Sequence, residues 1–178
     1  MSFIRRQFNR VLYVLPRILL VSIFIVYVVF AFLTYFDYFE PYLYPLSFIR
    51  GDASSVTKDI IIGPYPHYEE LKVLKEKYRT DFVVSLLNLN LPQEKALYQR
   101  EARDCERLGL EALSFPMEYL PLQSEENKKA RGKLLDFLLK NAGKKVYIHC
   151  YLGKHRVSFV KQGLRDAGII AEEKGVAN

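Results

Sequence analysis

The alternation of apolar and polar positions divides the chain into two unlike parts. From Ile18 to Phe36, nineteen residues pass without a charge. A soluble helix of that length normally shows a polar face, and this stretch has none. As a helix it would rise roughly 28 Å, about one hydrocarbon core. It therefore predicts a transmembrane anchor. A cleaved signal peptide would have a shorter apolar region, followed by small residues where large aromatics stand here. Tyr35, Phe36, Tyr38, Phe39, Tyr42 and Tyr44, with Pro41 and Pro45, suit an aromatic belt and a non-helical linker.

From Asp59 onward, short apolar runs alternate with longer amphipathic ones. Asp59–Gly63 reads as a buried strand, ended by Gly63-Pro64. His67–Arg79 carries Leu71, Val73, Leu74 and Tyr78 at helical spacing, and Phe82–Leu87 is a second strand. Asn90 could cap the next helix, with Gln93 three residues later and Pro92 in the first turn, and Gly109 stops it. Leu110–Pro116 is a third strand. Ser124 opens a helix that runs through Leu139 and ends near Gly143. Lys145–His149 is a fourth strand, followed by a glycine-containing turn and a helix from about Arg156. Such alternation predicts an α/β domain, with a central, mostly parallel sheet flanked by helices and preceded by one transmembrane helix. Ligand sites in such sheets lie at the carboxyl ends of strands. The expected organisation is a basic segment 1–17, an anchor 18–36, an aromatic linker 37–56 and a folded domain 57–178.

Charge sharpens the division. The formal charge of +6 belongs mostly to Arg5, Arg6, Arg10 and Arg17, and residues 37–178 carry 22 basic against 20 acidic side chains. A nucleic-acid binder would carry its basic excess on the folded domain, so no nucleic-acid partner is expected. These arginines face Asp37 and Glu40 across the apolar stretch. The positive-inside tendency then places the N-terminus in the cytoplasm and the domain on the other side. Two cysteines in 178 residues exclude a disulfide scaffold, and their spacing suggests no metal site. No cofactor is expected.

Chemistry concentrates at the end of the fourth strand, in Val146-Tyr-Ile-His149-Cys150-Tyr-Leu-Gly153-Lys154-His155-Arg156-Val157. A turn leading into a helix aims successive backbone N–H groups into one concavity, a ready anion site. Gly153 permits the positive torsion or close approach that such a loop demands. The planar fork of Arg156 can grip two phosphate oxygens. Both the helix start and the arginine favour a thiolate at Cys150, a nucleophile beneath the bound anion.

His-Cys-x-x-Gly-x-x-Arg resembles the signature of the cysteine-dependent protein tyrosine and dual-specificity phosphatases. Gly-Lys-His-Arg is most similar to their atypical dual-specificity branch, which includes enzymes acting on inositol pyrophosphates. The resemblance covers about residues 57–170. It implies Cys150 as the nucleophile of a phosphocysteine intermediate and His149 as the residue that orients the loop. It also implies Arg156, with the amides of Tyr151, Leu152, Gly153, Lys154, His155 and Arg156, as the phosphate cradle. Lys154 could meet a second phosphate; His155 is expected to face solvent. The implied substrate is a phosphorylated protein, lipid or inositol phosphate. The implied general acid sits on a movable loop upstream, where Phe115-Pro-Met-Glu118-Tyr-Leu-Pro121 stands, so Glu118 is the candidate. Glu125 and Glu126 are fallbacks, although their place suits the first turn of a helix.

Where the resemblance implies a Ser or Thr directly after the arginine, this chain has Val157, with Ser158 one place later. Slow turnover of the phosphoenzyme is expected. Val157, the missing aspartate and the short stretch after Arg156 also suit a phosphate-binding module without turnover. A rhodanese-like sulfurtransferase is a further alternative, with its cysteine on a similar loop. His67 reads as a surface residue at a helix start, and Cys105 as a partly buried filler. A reactive thiolate is easiest to maintain in the cytosol. On the other side of the membrane, oxidation of Cys150 to Cys105 is an expected hazard.

Overall fold

The computed structural model describes residues 2–34 and 50–170, with side chains from 16 to 31, at 34 and from 50 to 170. The chain divides into two units, residues 1–42 and 43–178.

In the first unit, helix α1 spans Ser2–Thr34 with Pro16 inside it. Its described apolar side chains from Ile18 to Phe30 are all exposed. Among the described residues, no helix is long and apolar enough to cross a membrane. The described side chains from 16 to 31 form a stretch shorter than the ~20 residues of a typical span. Tyr35, Phe36, Asp37, Tyr38, Phe39, Glu40, Pro41, Tyr42, Tyr44 and Pro45, from which a belt and linker were read, lie outside the described residues. So do the side chains of Arg5, Arg6 and Arg10.

The second unit is built on a five-stranded sheet: β1 (Ser54–Ser55), β2 (Ile60–Pro64), β3 (Phe82–Ser85), β4 (Glu111–Ser114) and β5 (Val146–Cys150). Their order is β1-β2-β5-β3-β4, parallel except for the antiparallel edge pair β1–β2. Connecting helices are α2 (Tyr68–Glu76), α3 (Pro92–Leu108), α4 (Glu125–Lys140) and α5 (His155–Asp166). A parallel sheet covered on both faces needs strands that are apolar on both sides. Ile60, Ile62, Val84, Ile148 and Cys150 accordingly join one core with Leu134, Leu138, Val160 and Leu164 of α4 and α5. Ile61, Val83 and Tyr147 point the other way and pack with Leu71 and Leu74 of α2 and Cys105 of α3.

Several helix boundaries follow from local chemistry. Gly109 ends α3 in the left-handed conformation at φ +66°, as its position after the periodic run predicts. Ser124 caps α4, its hydroxyl accepting from the Asn127 N–H. Asn90, by contrast, does not cap α3. Leu91 holds that position without a side-chain bond, because Pro92 enters the first turn and keeps Leu91 extended. The Asn90 N–H instead donates to Asn88 Oδ1 at 3.0 Å in the preceding turn. The edge strand β1 was not foreseen, since Ser54-Ser55 carries no apolar signal.

The amino edge of the sheet is tied by Asp81. Its carboxylate accepts from the Lys145 N–H at 2.8 Å, with Lys144 Nζ at 3.5 Å. That backbone bond and the Lys144 charge, against some cost of burial, hold its pKa below the ordinary 3.8. A depressed folded value means a contribution present at neutral pH and lost as pH falls through it. Asp81→Asn is therefore expected to lower the urea midpoint at neutral pH, with the gap to the parent closing as pH falls below the ordinary carboxylate range. A gap that stays constant with pH would exclude a charge effect.

Candidate active site

The carboxyl edge of the sheet gathers the sequence-predicted residues. β5 delivers His149 and Cys150, both buried, and α5 begins at His155. Between them the loop folds back on the rest of the sheet. The Tyr151 carbonyl accepts from the Tyr65 N–H at 3.2 Å, and the Leu152 carbonyl from the Gly51 N–H at 2.8 Å. Gly153 has φ +68°, and a Cβ there would lie 2.5 Å from the Pro64 nitrogen. The loop thus needs glycine for two reasons, torsion and space, as the sequence suggested. Lys154 and His155 are exposed, and the edge of the His155 ring meets Tyr119 at 5.6 Å.

Arg156 is buried, and its partners define the site. Nη2 and Nη1 donate to the two carboxylate oxygens of Glu94 at 2.6 and 2.8 Å. Nη1 also donates to the carbonyls of Leu86 at 3.0 Å and Met117 at 3.3 Å. One guanidinium therefore joins the exits of β3 and β4 to the first turn of α3. Burial acts to lower its pKa, but the bond and charge of Glu94, with help from Cys150, outweigh burial and hold it above the ordinary value. Nε has no hydrogen-bond partner among the described residues. It is a buried donor left without an acceptor among these residues.

Glu94 was not singled out by sequence. An acidic residue in the first turn after a proline reads as a dipole partner of its own helix. Here the same carboxylate also accepts the Asn88 N–H and reaches a residue 62 positions away. No local signal separates those two uses.

Glu118 lies on the exit of β4, partly exposed, and its carboxylate has no ion pair or hydrogen bond among the described residues. Its backbone is held on both sides by buried Asn127. The Glu118 N–H donates to Asn127 Oδ1 at 2.7 Å, and Asn127 Nδ2 donates to the Glu118 carbonyl at 3.0 Å. Nδ2 also reaches the Pro121 and Leu122 carbonyls, each at 3.3 Å. The amide ties the segment expected to be movable to the first turn of α4. Glu125 and Glu126 are exposed in the first turn of α4, and Glu125 pairs with Lys128 at 2.8 Å.

Val157 packs into the core and Ser158 is exposed on the far side of α5, so no hydroxyl stands beside Arg156 at that place. Gly163 lets Arg131 lie across α5 with its guanidinium 4.2 Å from the Phe159 ring, bracing the helix that carries Arg156. Cys105 is fully buried, and burial, with the charges of Glu101 and Asp104, pushes its thiol up to about 12. It belongs to the core opposite that of Cys150, so the disulfide considered from the sequence is not available. His67 stands at the N-cap of α2 with its ring edge-on to Tyr65. Among the described residues, no group of three or more His, Cys, Asp or Glu is placed to hold a metal ion.

No family model and no curated protein matches the chain. Solved structures match its fold. The core catalytic domain of the PP-IP phosphatase SIW14 from S. cerevisiae, in complex with citrate, is similar at a TM-score of 0.55 and 20% identity, over 68% of this chain and 69% of that one. A candidate phosphatase (DUF442) from Shewanella putrefaciens CN-32 is similar at a TM-score of 0.56 and 16% identity, over 71% of this chain and 78% of that one. The folded domain shares its fold with these two phosphatase structures.

Removing one partner of a buried ion pair leaves the other charge stranded. Glu94→Ala is expected to destabilise the protein by about 3 kcal/mol in urea titration. A loss under about 1 kcal/mol would mean that the Leu86 and Met117 carbonyls suffice to hold Arg156.

Proposed function

We propose that the chain is a membrane-anchored, cysteine-dependent phosphatase that hydrolyses phosphomonoesters through a phosphocysteine intermediate. The observation that carries this reading is the meeting of Cys150, at the mouth of β5, with buried Arg156, whose Nε lacks a protein partner. In the first step the Cys150 sulfur attacks phosphorus, an S–P bond forms and the ester P–O bond breaks. Glu118 gives its proton to the departing oxygen. In the second step the Glu118 carboxylate takes a proton from water as the water oxygen attacks phosphorus. The S–P bond breaks, and the thiolate and inorganic phosphate are released. Arg156 and the loop amides stabilise the charge on the transferring group throughout, and His149 orients the loop.

The substrate is a phosphorylated protein, phosphoinositide or inositol phosphate. Exposed Lys154, beside the cradle, supports a ligand with a second phosphate. The fold likeness to SIW14, described as a PP-IP phosphatase, supports the same class. A phosphate-binding module without turnover is the second reading, and buried Val157 favours it by leaving no hydroxyl at that position.

The full-length chain is expected to release phosphate from at least one of a phosphotyrosine peptide, phosphoinositides, phosphatidylglycerophosphate and inositol polyphosphates, with Cys150→Ser inactive. A burst followed by slow turnover, accelerated about tenfold or more by Val157→Ser, is the expected time course. Release from none of them would leave the binding module standing. Steady turnover equal to that of Val157→Ser would remove the role given to position 157.

The anchor rests on the uncharged run 18–36 and on the exposure of the described apolar side chains from Ile18 to Phe30. Immersed in water, that much apolar surface would be costly, and lipid relieves the cost. The arginine distribution supports a cytoplasmic N-terminus and a domain on the opposite side. Protease added to intact cells is therefore expected to digest the domain. Digestion only after lysis would reverse the orientation, and recovery of the chain from carbonate-washed membranes as soluble protein would remove the anchor.

A further inference from the structure

Behind the loop, on the face of the sheet opposite the Cys150 sulfur, lies a buried ionisable pair, of which the chemistry above uses only His149. His149 Nε2 stands 3.0 Å from Glu101 Oε2, and both side chains are fully buried. The contact is one of proximity without hydrogen-bond alignment. Both imidazole nitrogens and both carboxylate oxygens lack hydrogen-bond partners among the described residues. Ser85, the register neighbour of His149 on β3, and Ser114, next to it on β4, have unpartnered buried hydroxyls as well. Such a concentration of unsatisfied polar atoms is rare in a folded interior and calls for a reason beyond stability.

The place of Glu101 supplies one. It stands on α3 seven residues after Glu94, with Leu97 between them and Cys105 beyond, a spacing that keeps all four on one helical face. Three of the four, Leu97, Glu101 and Cys105, are buried. The first turn of α3 therefore grips Arg156 through Glu94, and two turns later Glu101 meets His149, the residue before Cys150. Tyr65 fixes the spacing between helix and sheet, donating from its hydroxyl to the Leu97 carbonyl at 3.0 Å, with its ring centroid 5.8 Å from that of His149 in an edge-to-face arrangement. The Tyr147 ring stacks on the imidazole with centroids 5.8 Å apart. Two aromatic rings and the Glu101 carboxyl group thus adjoin the imidazole.

We propose that Glu101 is a positioning residue for the phosphate loop: through His149 it sets the orientation in which β5 presents the Cys150 thiol. This inference rests on the phosphatase reading above, and it touches no reacting atom. Its test therefore reads the thiol itself. In the full-length protein at neutral pH, Glu101→Gln is expected to slow alkylation of Cys150 by iodoacetamide about tenfold or more, scored by peptide mass against Cys150→Ser. kcat falls by a similar factor on any accepted substrate, while KM stays within about threefold and the melting temperature is unchanged or higher. A role confined to stability would lower the melting temperature and leave the alkylation rate of the folded fraction alone; that result overturns the proposal. So does a folded Glu101→Gln protein within about twofold of the parent in both rates. If Glu101→Gln does not fold, Glu101→Asp keeps the carboxyl group and draws it back by one methylene. Slowed alkylation at a normal melting temperature then supports the proposal, and parent-like alkylation overturns it. Because alkylation needs no phosphate transfer, a parent with a reactive Cys150 but no phosphate release would count against the function and leave this comparison intact.

Discussion

The folded unit is organised around the burial of one guanidinium. Arg156 opens α5, next to the core, where an unpaired charge would cost several kcal/mol by desolvation. Its neutralisation needs a carboxylate with fork geometry, and its remaining donor capacity needs carbonyls. Glu94, Leu86 and Met117 meet those demands. Leu86 and Glu94 lie at the two ends of the β3–α3 connection and Met117 follows β4, so the demand of one side chain constrains where β3 exits, how β4 exits and where α3 begins. The position of Cys150 beneath the same guanidinium is then a consequence of six residues of chain joining two fixed ends. The candidate site is thus assembled by the requirement to bury its own cation.

The loop after β4 obeys a similar constraint with a neutral group. Asn127 is buried in the first turn of α4 and spends its amide on the backbone of Glu118, Pro121 and Leu122. A segment of extended chain with no ladder partner must find its hydrogen bonds somewhere, and here a single side chain provides them. The consequence is a carboxylate at Glu118 on a pinned backbone. Any motion that brings it toward a leaving group is then a side-chain rotation about a fixed Cα, faster and smaller than a loop closure.

Much of this was readable from residue order, and the parts that were not share a cause. Strands with apolar residues on both faces, the stop at Gly109, the cap at Ser124 and the turn at Gly153 depend on local sterics or on burial of contiguous runs. Their signals therefore lie within a few residues. Cys150 and Arg156 carry a motif because a loop must hold them six residues apart. Glu94, Glu101 and Asn127 carry none. Each is polar, on a helix, among other charged residues such as Arg100, Arg103 and Asp104, and looks like part of a solvated face. What distinguishes them is a partner far away in sequence: Arg156 for Glu94, His149 for Glu101, the Glu118 backbone for Asn127. Periodicity finds the face of a helix that is buried; it does not find the polar residue buried on that face. The misassigned cap at Asn90 has a local origin, since Pro92 fixed the start of α3 one residue later than the side-chain pattern implied.

The helix that was least distinctive in sequence thus has the largest share in the site. α3 is a run of charges with a few apolar positions, yet its inner face presents two carboxyl groups at a separation of two turns to two residues that flank one loop. A rigid helix keeps such a separation to within a fraction of an ångström, which a flexible connection does not. Loop and helix are therefore registered against each other at both ends: the cation that would meet the anion, and the histidine beside the thiol. Between the two contacts, Tyr65 ties the helix backbone to the end of β2. A helix with only a stability role would be expected to bury Leu or Met at position 101, because an apolar side chain of that size fills the space without desolvating a charge. Retaining glutamate there trades stability for a defined loop geometry, and that trade is intelligible only if the geometry has a use.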